Sequence, residues 1–515
     1  MESNLTSTSN SQWLKHKKYS MIIKNNFKHS FPLIEGVRGR FLILFFAIAA
    51  VSCTNDFSEI NTNPNAPIEV QPSLLLRQVV YDYGEQMSYE GFVAGNLLSQ
   101  HFTMVDFNLF DRHDLNAPQL GGNPWPILYT NLRDNELILD QVNQNVVYEV
   151  YRGPALIMKA YMTAALTDIF GDVPYFEALN GKEGNTTPTY DSQEAIYLNE
   201  DGILDNLEQG IIAIQSYSGA QSLEGDILFD GELDSWVAFA NSLQIKYLMR
   251  VSGRENVSDR LQSIYDEGNY IQSNDKNAVF DFSDTQPNTF RMAVLRSGDF
   301  NLFIMSETMQ EVMGNLNDPR VEVLYRESSA NPGLYLGLLN GPDASNTSIS
   351  VSDYSLTGTI FRENTGALDA NFITSWETQF LLAEAAERNF ITADAQTLYE
   401  LGIEQAFEYW SASQPSDYLT TGPAAYASAG MNPIEQIMTQ KWIANSINGY
   451  EGWIEYRRTG FPQLKDVGAS LNSDLIPVRL PYPSSEEALN AESFGIASDA
   501  TNGNSINATV WWDND

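Results

Sequence analysis

The sequence is poor in the residues on which most catalytic and metal-binding chemistry is built. Its 515 residues include one cysteine, Cys53, and four histidines. A lone cysteine admits no intrachain disulfide and no cysteine-rich zinc site. His16 and His29 fall in an N-terminal leader, which leaves His101 and His113 in one polar stretch. A histidine-centred triad would have to use one of those two. The GxSxG, P-loop, HExxH and GxGxxG patterns are missing. Basic residues are scarce as well, 29 Lys+Arg against 66 Asp+Glu, for a net charge of -37. The first 52 residues hold seven of the former and two of the latter, so 22 basic and 64 acidic residues follow them. So negative a surface repels phosphate backbones and anionic membranes, and nucleic acid is excluded as a partner. Solubility, or adaptation to salty water, accounts for the charge itself.

The apolar run FLILFFAIAAVS (41–52), preceded by Arg38 and Arg40, is too short for a membrane helix, which takes about 20 residues. Its length suits the apolar region of a signal peptide. Ala49, Ala50 and Ser52 lead into Cys53, which resembles a lipoprotein signal in which the cysteine is acylated and becomes the new N-terminus. More than one acyl chain is needed for stable anchoring. An ordinary secretory signal with an incidental cysteine is the alternative, and Met21 is a possible start. The expected organisation is a signal peptide over 1–52, a polar, turn-rich tether over 53–70, and one large binding domain over 71–515.

Within that domain, apolar residues recur at helical spacing. The segment 153–170 carries Pro154 near a helix start and Gly171 at its stop. The segment 234–252 places Trp236, Phe239, Ala240, Leu243 and Tyr247 on one face behind an N-cap Asp234. Residues 373–389 and 393–410 predict a helical hairpin, with Ala383, Ala385, Ala386 and Ala406 at the crossing. Such pairs look like tetratricopeptide-style stacking, in which each hairpin buries its face against a neighbour. Strand-like runs are few, 277–284 and 476–483. The fold class predicted is mainly α, with tetratricopeptide-like hairpins, little β, and long irregular excursions at 98–122 and 285–370. Loops that long are uncommon unless they carry function.

Several local signatures follow one another: NTNPNAP (61–67), NPWPILYTNLRDNELIL (123–139), LTDIFGDVPYFEALNG (166–181) and TPTYDSQEAIYLN (187–199). After them come DILFDGELDSWVAFANSLQIKYLMR (226–250), TSWETQFLLAEAAER (374–388), QKWIANSINGYEGWIEYRRTGFPQL (440–464) and PVRLPYPSSEEALN (477–490). In that order they resemble the SusD/RagB-like outer-membrane nutrient-binding lipoproteins, nearest the second, starch-associated SusD-like subfamily. The resemblance covers residues 53–515. It implies a helical body with irregular loops on one side, lidding a SusC-type TonB-dependent transporter and presenting oligosaccharide to it. It implies neither catalysis nor a cofactor.

Most motif residues read as structural. Asp168 and Asp172 mark a helix end rather than a metal site. Asp226, Asp230, Glu232 and Asp234 lack the terminal bidentate glutamate of an EF-hand. Arg457 and Arg458 suit internal ion pairs. Trp125, Trp236, Trp376, Trp442 and Trp453 read as core. A sugar packs its C–H face on an aromatic plate while planar polar groups meet its hydroxyls. Candidate plates are therefore sought in the long loops: Phe107, Phe110, Tyr335 and Tyr354, with Asn108, Arg112, Gln286 and Asn288 as polar partners. The negative charge favours a neutral glucan over an acidic glycan. An oligopeptide ligand is the alternative within this architecture. A helical glycoside hydrolase, needing only two carboxylates, and a purely structural surface protein are the alternatives outside it.

Overall fold

Gln71 is extended and Pro72 follows it at the first helical position, where a missing N–H costs nothing, so a helix starts there. The computed structural model describes residues 70–116, 120–343, 345, 348–427 and 432–513. The leader, Cys53 and the tether up to residue 69 lie outside them. Contacts group Val70–Asp515 as one unit.

Twelve helices of ten residues or more occur among the described residues: α1 (Pro72–Glu90), α2 (Trp125–Gln144), α3 (Arg152–Phe170), α4 (Ile203–Ser216), α5 (Leu233–Val251), α6 (Ser258–Glu267), α7 (Glu307–Leu316), α8 (Ser375–Glu387), α9 (Ala395–Tyr409), α10 (Pro433–Ala444), α11 (Gly449–Thr459) and α12 (Ala491–Ala500). None is long and apolar enough to cross a membrane. Packing follows a chain of neighbours, α1 on α2, α2 on α3, α3 on α4, α4 on α5, α5 on α8, and α8 on both α9 and α10. It closes where α11 meets a π-helical turn, Gly91–Gly95, that continues α1. Absent side chains permit that closure. A Cβ on Gly95 would lie 2.2 Å from the Tyr450 nitrogen, and one on Gly449 would lie 2.1 Å from the Asn96 nitrogen.

The predicted hairpin at 373–410 is α8 and α9, and 153–170 is α3, ended by Gly171 at φ 82°. Helix α5 corrects one detail: Glu232 occupies the N-cap, and Asp234 sits in the first turn, where the helix dipole favours a carboxylate. All five motif tryptophans are buried.

Strand content is small. Strand β1 (Phe102–Met104) pairs antiparallel with β3 (Phe303–Met305), Thr103 opposite Ile304. Strand β2 (Ala278–Asp281) pairs antiparallel with β4 (Asp369–Ile373), Asp281 opposite Asp369. The strand expected over 476–483 does not form. Pro477, Pro481 and Pro483 lack the N–H donors a ladder needs. That segment makes single bonds instead, Leu480 N–H to the Ile169 carbonyl and Val478 N–H to that of Ile506. The excursion 285–370 also contains β3 and α7, so its irregular part is shorter than expected.

Candidate functional site

The loop side of the body is held by one aromatic knot. The Phe92 ring, in the π turn, meets Phe102, Phe290, Phe303 and Phe361 at centroid distances of 5.0, 5.7, 5.6 and 5.0 Å. Those rings come from the excursion at 98–122, the turn at 283–290, β3, and the segment before β4. Segments far apart in sequence are thereby brought to one side.

A buried carboxylate, Asp111, ties in two more. It accepts hydrogen bonds from the Thr103 hydroxyl (2.7 Å), the Met104 N–H (3.1 Å), the Asn340 amide (2.7 Å) and the Gly341 N–H (2.7 Å). Burial raises its pKa, and these donors offset part of the rise. Gly341 is required at this junction: its φ is +60°, and a Cβ would meet Val467 at 2.2 Å and Arg112 at 3.1 Å. Asp111 carries no motif, and two of its four partners, Asn340 and Gly341, lie some 230 residues away, so sequence reading missed it.

Around this frame the eight candidate residues divide. Phe107 is 50% exposed and held at φ 50°. Gln286 and Asn288 are exposed on the turn that approaches α1, where the Tyr81 hydroxyl donates to the Pro287 carbonyl at 3.4 Å. Gln286 donates to the Thr289 hydroxyl at 2.7 Å. Tyr335 and Tyr354 are half-buried, and their segments run side by side, Ser355 N–H donating to the Leu336 carbonyl. Asn108 and Phe110 are instead committed to the fold. Asn108 is 2% exposed and donates to the carbonyls of Met104 and Pro342, while the Phe110 ring fills the space above Gly122. Arg112 is half-buried, and its Nε donates to the Ala469 carbonyl at 2.7 Å. None of the eight lines the cleft of about 700 Å³ beside α2 and α3. Arg291, overlooked in the sequence, is exposed with its guanidinium 4.3 Å from the Tyr89 ring centroid.

Beneath the helices lies a cluster of buried charges. Lys246 contacts Glu377 (2.9 Å) and Glu451 (3.0 Å). Arg250 contacts Glu451 (2.9 Å) and Asp168 (3.6 Å). Lys441 contacts Glu455 (3.0 Å), and Arg458 contacts both Glu384 (2.5 Å) and Glu455 (2.7 Å). Burial alone would raise the carboxyl pKa values, but the cations outweigh it and hold Glu451 and Glu455 below the usual range. Arg458 is thus the internal ion pair anticipated. Arg457 differs: it donates to the Val478 and Asp168 carbonyls, its guanidinium stacked between Trp453 (4.1 Å) and Trp512 (4.7 Å).

Neither histidine is set for catalysis. His101 bonds the Ser99 hydroxyl (2.6 Å) and the Trp442 carbonyl (2.7 Å) and stacks on Trp442, but Ser99 and His101 are both fully buried. Burial lowers His101 and His113 alike to about 4, leaving both neutral at pH 7. Asp226 accepts from three backbone N–H groups and the Trp236 indole, so it ties a turn to α5. Among the described residues no group of three or more His, Cys, Asp or Glu could hold a metal.

Comparison with known proteins bears on what this body does. Residues 64–483 match the second SusD-like family, described as starch-binding and associating with the outer membrane. No curated protein shows a significant match. Similar solved structures include a SusD homolog from Bacteroides fragilis (22% identity, 86% of this chain and 100% of that one, TM-score 0.74). Another, from Bacteroides vulgatus, has 23% identity, 86% and 97% coverage and a TM-score of 0.73. A third, a chitin-binding SusD homolog from Flavobacterium johnsoniae, has 22% identity, 86% and 98% coverage and a TM-score of 0.72.

Proposed function

The chain belongs to the second SusD-like family, starch-binding proteins that associate with the outer membrane, and from that membership we propose that it captures a neutral oligosaccharide at the cell surface and passes it to a SusC-type TonB-dependent transporter. Acylation of Cys53 would anchor it to the outer membrane, with the domain facing outward. The observation that carries this reading is the family match over residues 64–483. A neutral sugar suits a chain with more than twice as many acidic as basic residues. Phe107, Tyr335 and Tyr354 are the ring faces offered to it, with Gln286 and Asn288 as polar partners.

Asp281 and Asp369 stand opposite each other across β2 and β4, so this pair leaves no room for a sugar between its carboxyls, which glycosidases hold about 5–10 Å apart. Calorimetry against neutral glucans, chitin oligosaccharides, acidic glycans and peptides tests the proposal. Saturable binding of a neutral oligosaccharide without release of reducing sugar is expected. Binding only to peptides, or release of sugar by the purified protein, would overturn it.

A further inference from the structure

We infer that the cleft between α2, α3 and the turn at 174–183 is a second carbohydrate-binding site, taking an uncharged sugar ring on the face of Phe176. The inference rests on the glycan-binding reading above and extends it to a place that the loop residues do not reach.

The cleft measures about 700 Å³, within the usual ~300–1,000 Å³ of small-ligand sites. It adjoins a further one of about 280 Å³, with Tyr129, Pro174, Ala178 and Leu179 lining both. Phe176 stands at its rim, 36% exposed. An exposed ring is ordinarily mobile, but this one is held. The backbone N–H groups of Tyr175 and Phe176 both donate to one Asp191 oxygen, each at 2.9 Å. The rings of Tyr175 and Phe176 pack edge to face, with centroids 4.9 Å apart. Tyr175 is pinned in turn by its hydroxyl, which donates to the Asp201 carbonyl at 2.5 Å. A plate fixed before its ligand arrives loses little entropy on binding.

Backbone strain marks the same rim. Leu179 lines both clefts, is exposed, and sits at φ 64°. A branched side chain there is costly and persists only where the surroundings impose it, a pattern that concentrates at binding sites.

The wall chemistry selects the ligand class. Arg133, Lys159 and Lys182 face Glu136, Asp140, Glu183 and Asp201 around the cleft, an almost balanced set in a strongly acidic chain. The Lys159 ammonium already bonds Asp201 at 2.9 Å and lies over the Tyr175 ring at 5.6 Å, so the place for a ligand cation is taken. What is left is a lining that mixes donors and acceptors with the apolar side chains of Leu132, Leu137 and Pro174. Hydroxyls, which donate and accept at once, match that array better than any ion.

The test is calorimetric titration of the purified full chain with maltoheptaose and with chitohexaose, for wild type, Phe176→Ala, Phe176→Tyr and Phe107→Ala. Two binding events are expected in wild type. Phe176→Ala should weaken one about tenfold, as loss of a stacked ring does, while Phe176→Tyr keeps it and Phe107→Ala affects only the other. Matching thermal melts guard against a folding defect. Retention on a polysaccharide gel should fall in Phe176→Ala through lost avidity. A Phe176→Ala protein that binds both sugars as wild type does would overturn this inference and leave the proposed function standing. A wild type that binds neither sugar would overturn both. A peptide whose binding is lost in Phe176→Ala would overturn the sugar assignment of the cleft.

Discussion

Neutralising Glu451 separates a fold held partly by buried charge from one held by packing alone. Its carboxylate accepts from Arg250 at 2.9 and 3.1 Å and from Lys441 at 3.3 Å, and stands 3.0 Å from the Lys246 ammonium. Burial alone would raise its pKa, but the three cations lower it from 4.5 to about 2. At about 1.4 kcal/mol per pH unit, this preference for the charged form is worth about 3 kcal/mol. Deleting one partner of a buried pair costs a similar amount, ~3–5 kcal/mol, because the remaining charges are left uncompensated. With an unfolding entropy of about 2.1 cal/mol/K per residue, a body of roughly 440 residues loses about 1 °C per kcal/mol. Glu451→Gln should therefore lower Tm by about 3–4 °C at pH 7, measured by calorimetry or circular dichroism. Because the folded pKa is depressed, the contribution is present above pH 4.5 and fades as the pH falls towards about 2. The gap between wild type and variant should close over that window. Glu363→Gln is the control. Glu363 bonds Arg326 at 2.7 Å but is 41% exposed, and its loss should cost less than about 1 kcal/mol. A Glu451→Gln protein that melts with wild type, or above it, at pH 7 would show that the cost of desolvating these charges cancels their attraction.

Three further outcomes follow from single contacts. Burial and the neighbouring Asp281 raise Asp369 to about 7, so its stabilising proton is fully present below pH 3.8 and is lost as the pH rises through 7. Asp369→Asn should match wild type only below about pH 3.8 and exceed it by up to about 4 kcal/mol at pH 8; equal denaturant midpoints at pH 8 would refute the pairing. Gly95→Ala should cost about 2–3 kcal/mol or more, since its Cβ lands on the Tyr450 backbone. Gly298→Ala, with nothing within 4 Å of the new Cβ, should change stability by less than about 1 kcal/mol. Phe107→Ala should weaken oligosaccharide binding about tenfold without moving Tm, and unchanged affinity would remove the most exposed ring from the proposed ligand face.

The helical body was legible because its signals are local. Apolar spacing of three and four, Pro154 near a helix start and Gly171 at a stop are properties of a few consecutive residues, and each sits where the spacing predicts. The motif tryptophans were legible as core for the same reason: on a helix, the face a residue occupies follows from its neighbours. The strand expected at 476–483 does not form because three of its eight residues are prolines that cannot donate to a ladder. Of the two adjacent arginines, only the neighbourhood decides that Arg458 meets carboxylates while Arg457 lies between two indoles.

The ligand face was less legible, for a physical reason visible in two rings three residues apart. Phe107 and Phe110 are the same residue type in the same loop, yet one is 50% exposed and the other 4%. What separates them is what each meets: the Phe110 ring packs on Gly122, while Asp111 draws in Asn340 and Gly341 from another part of the chain and Asn108 bonds the Pro342 carbonyl there. Whether a loop residue of this stretch is exposed or buried is therefore set by tertiary contacts, for Asn108 and Asp111 with partners more than 200 residues distant in sequence. Phe176 shows the converse. It lies inside a motif that reads as structural, and Asp191, fifteen residues onward, turns its backbone so that the ring faces outward. A search for sugar plates confined to long loops passes over such a ring. A short turn clamped by one carboxylate can present a flatter and stiffer surface than a loop of twenty residues, because fewer torsions remain free to move it.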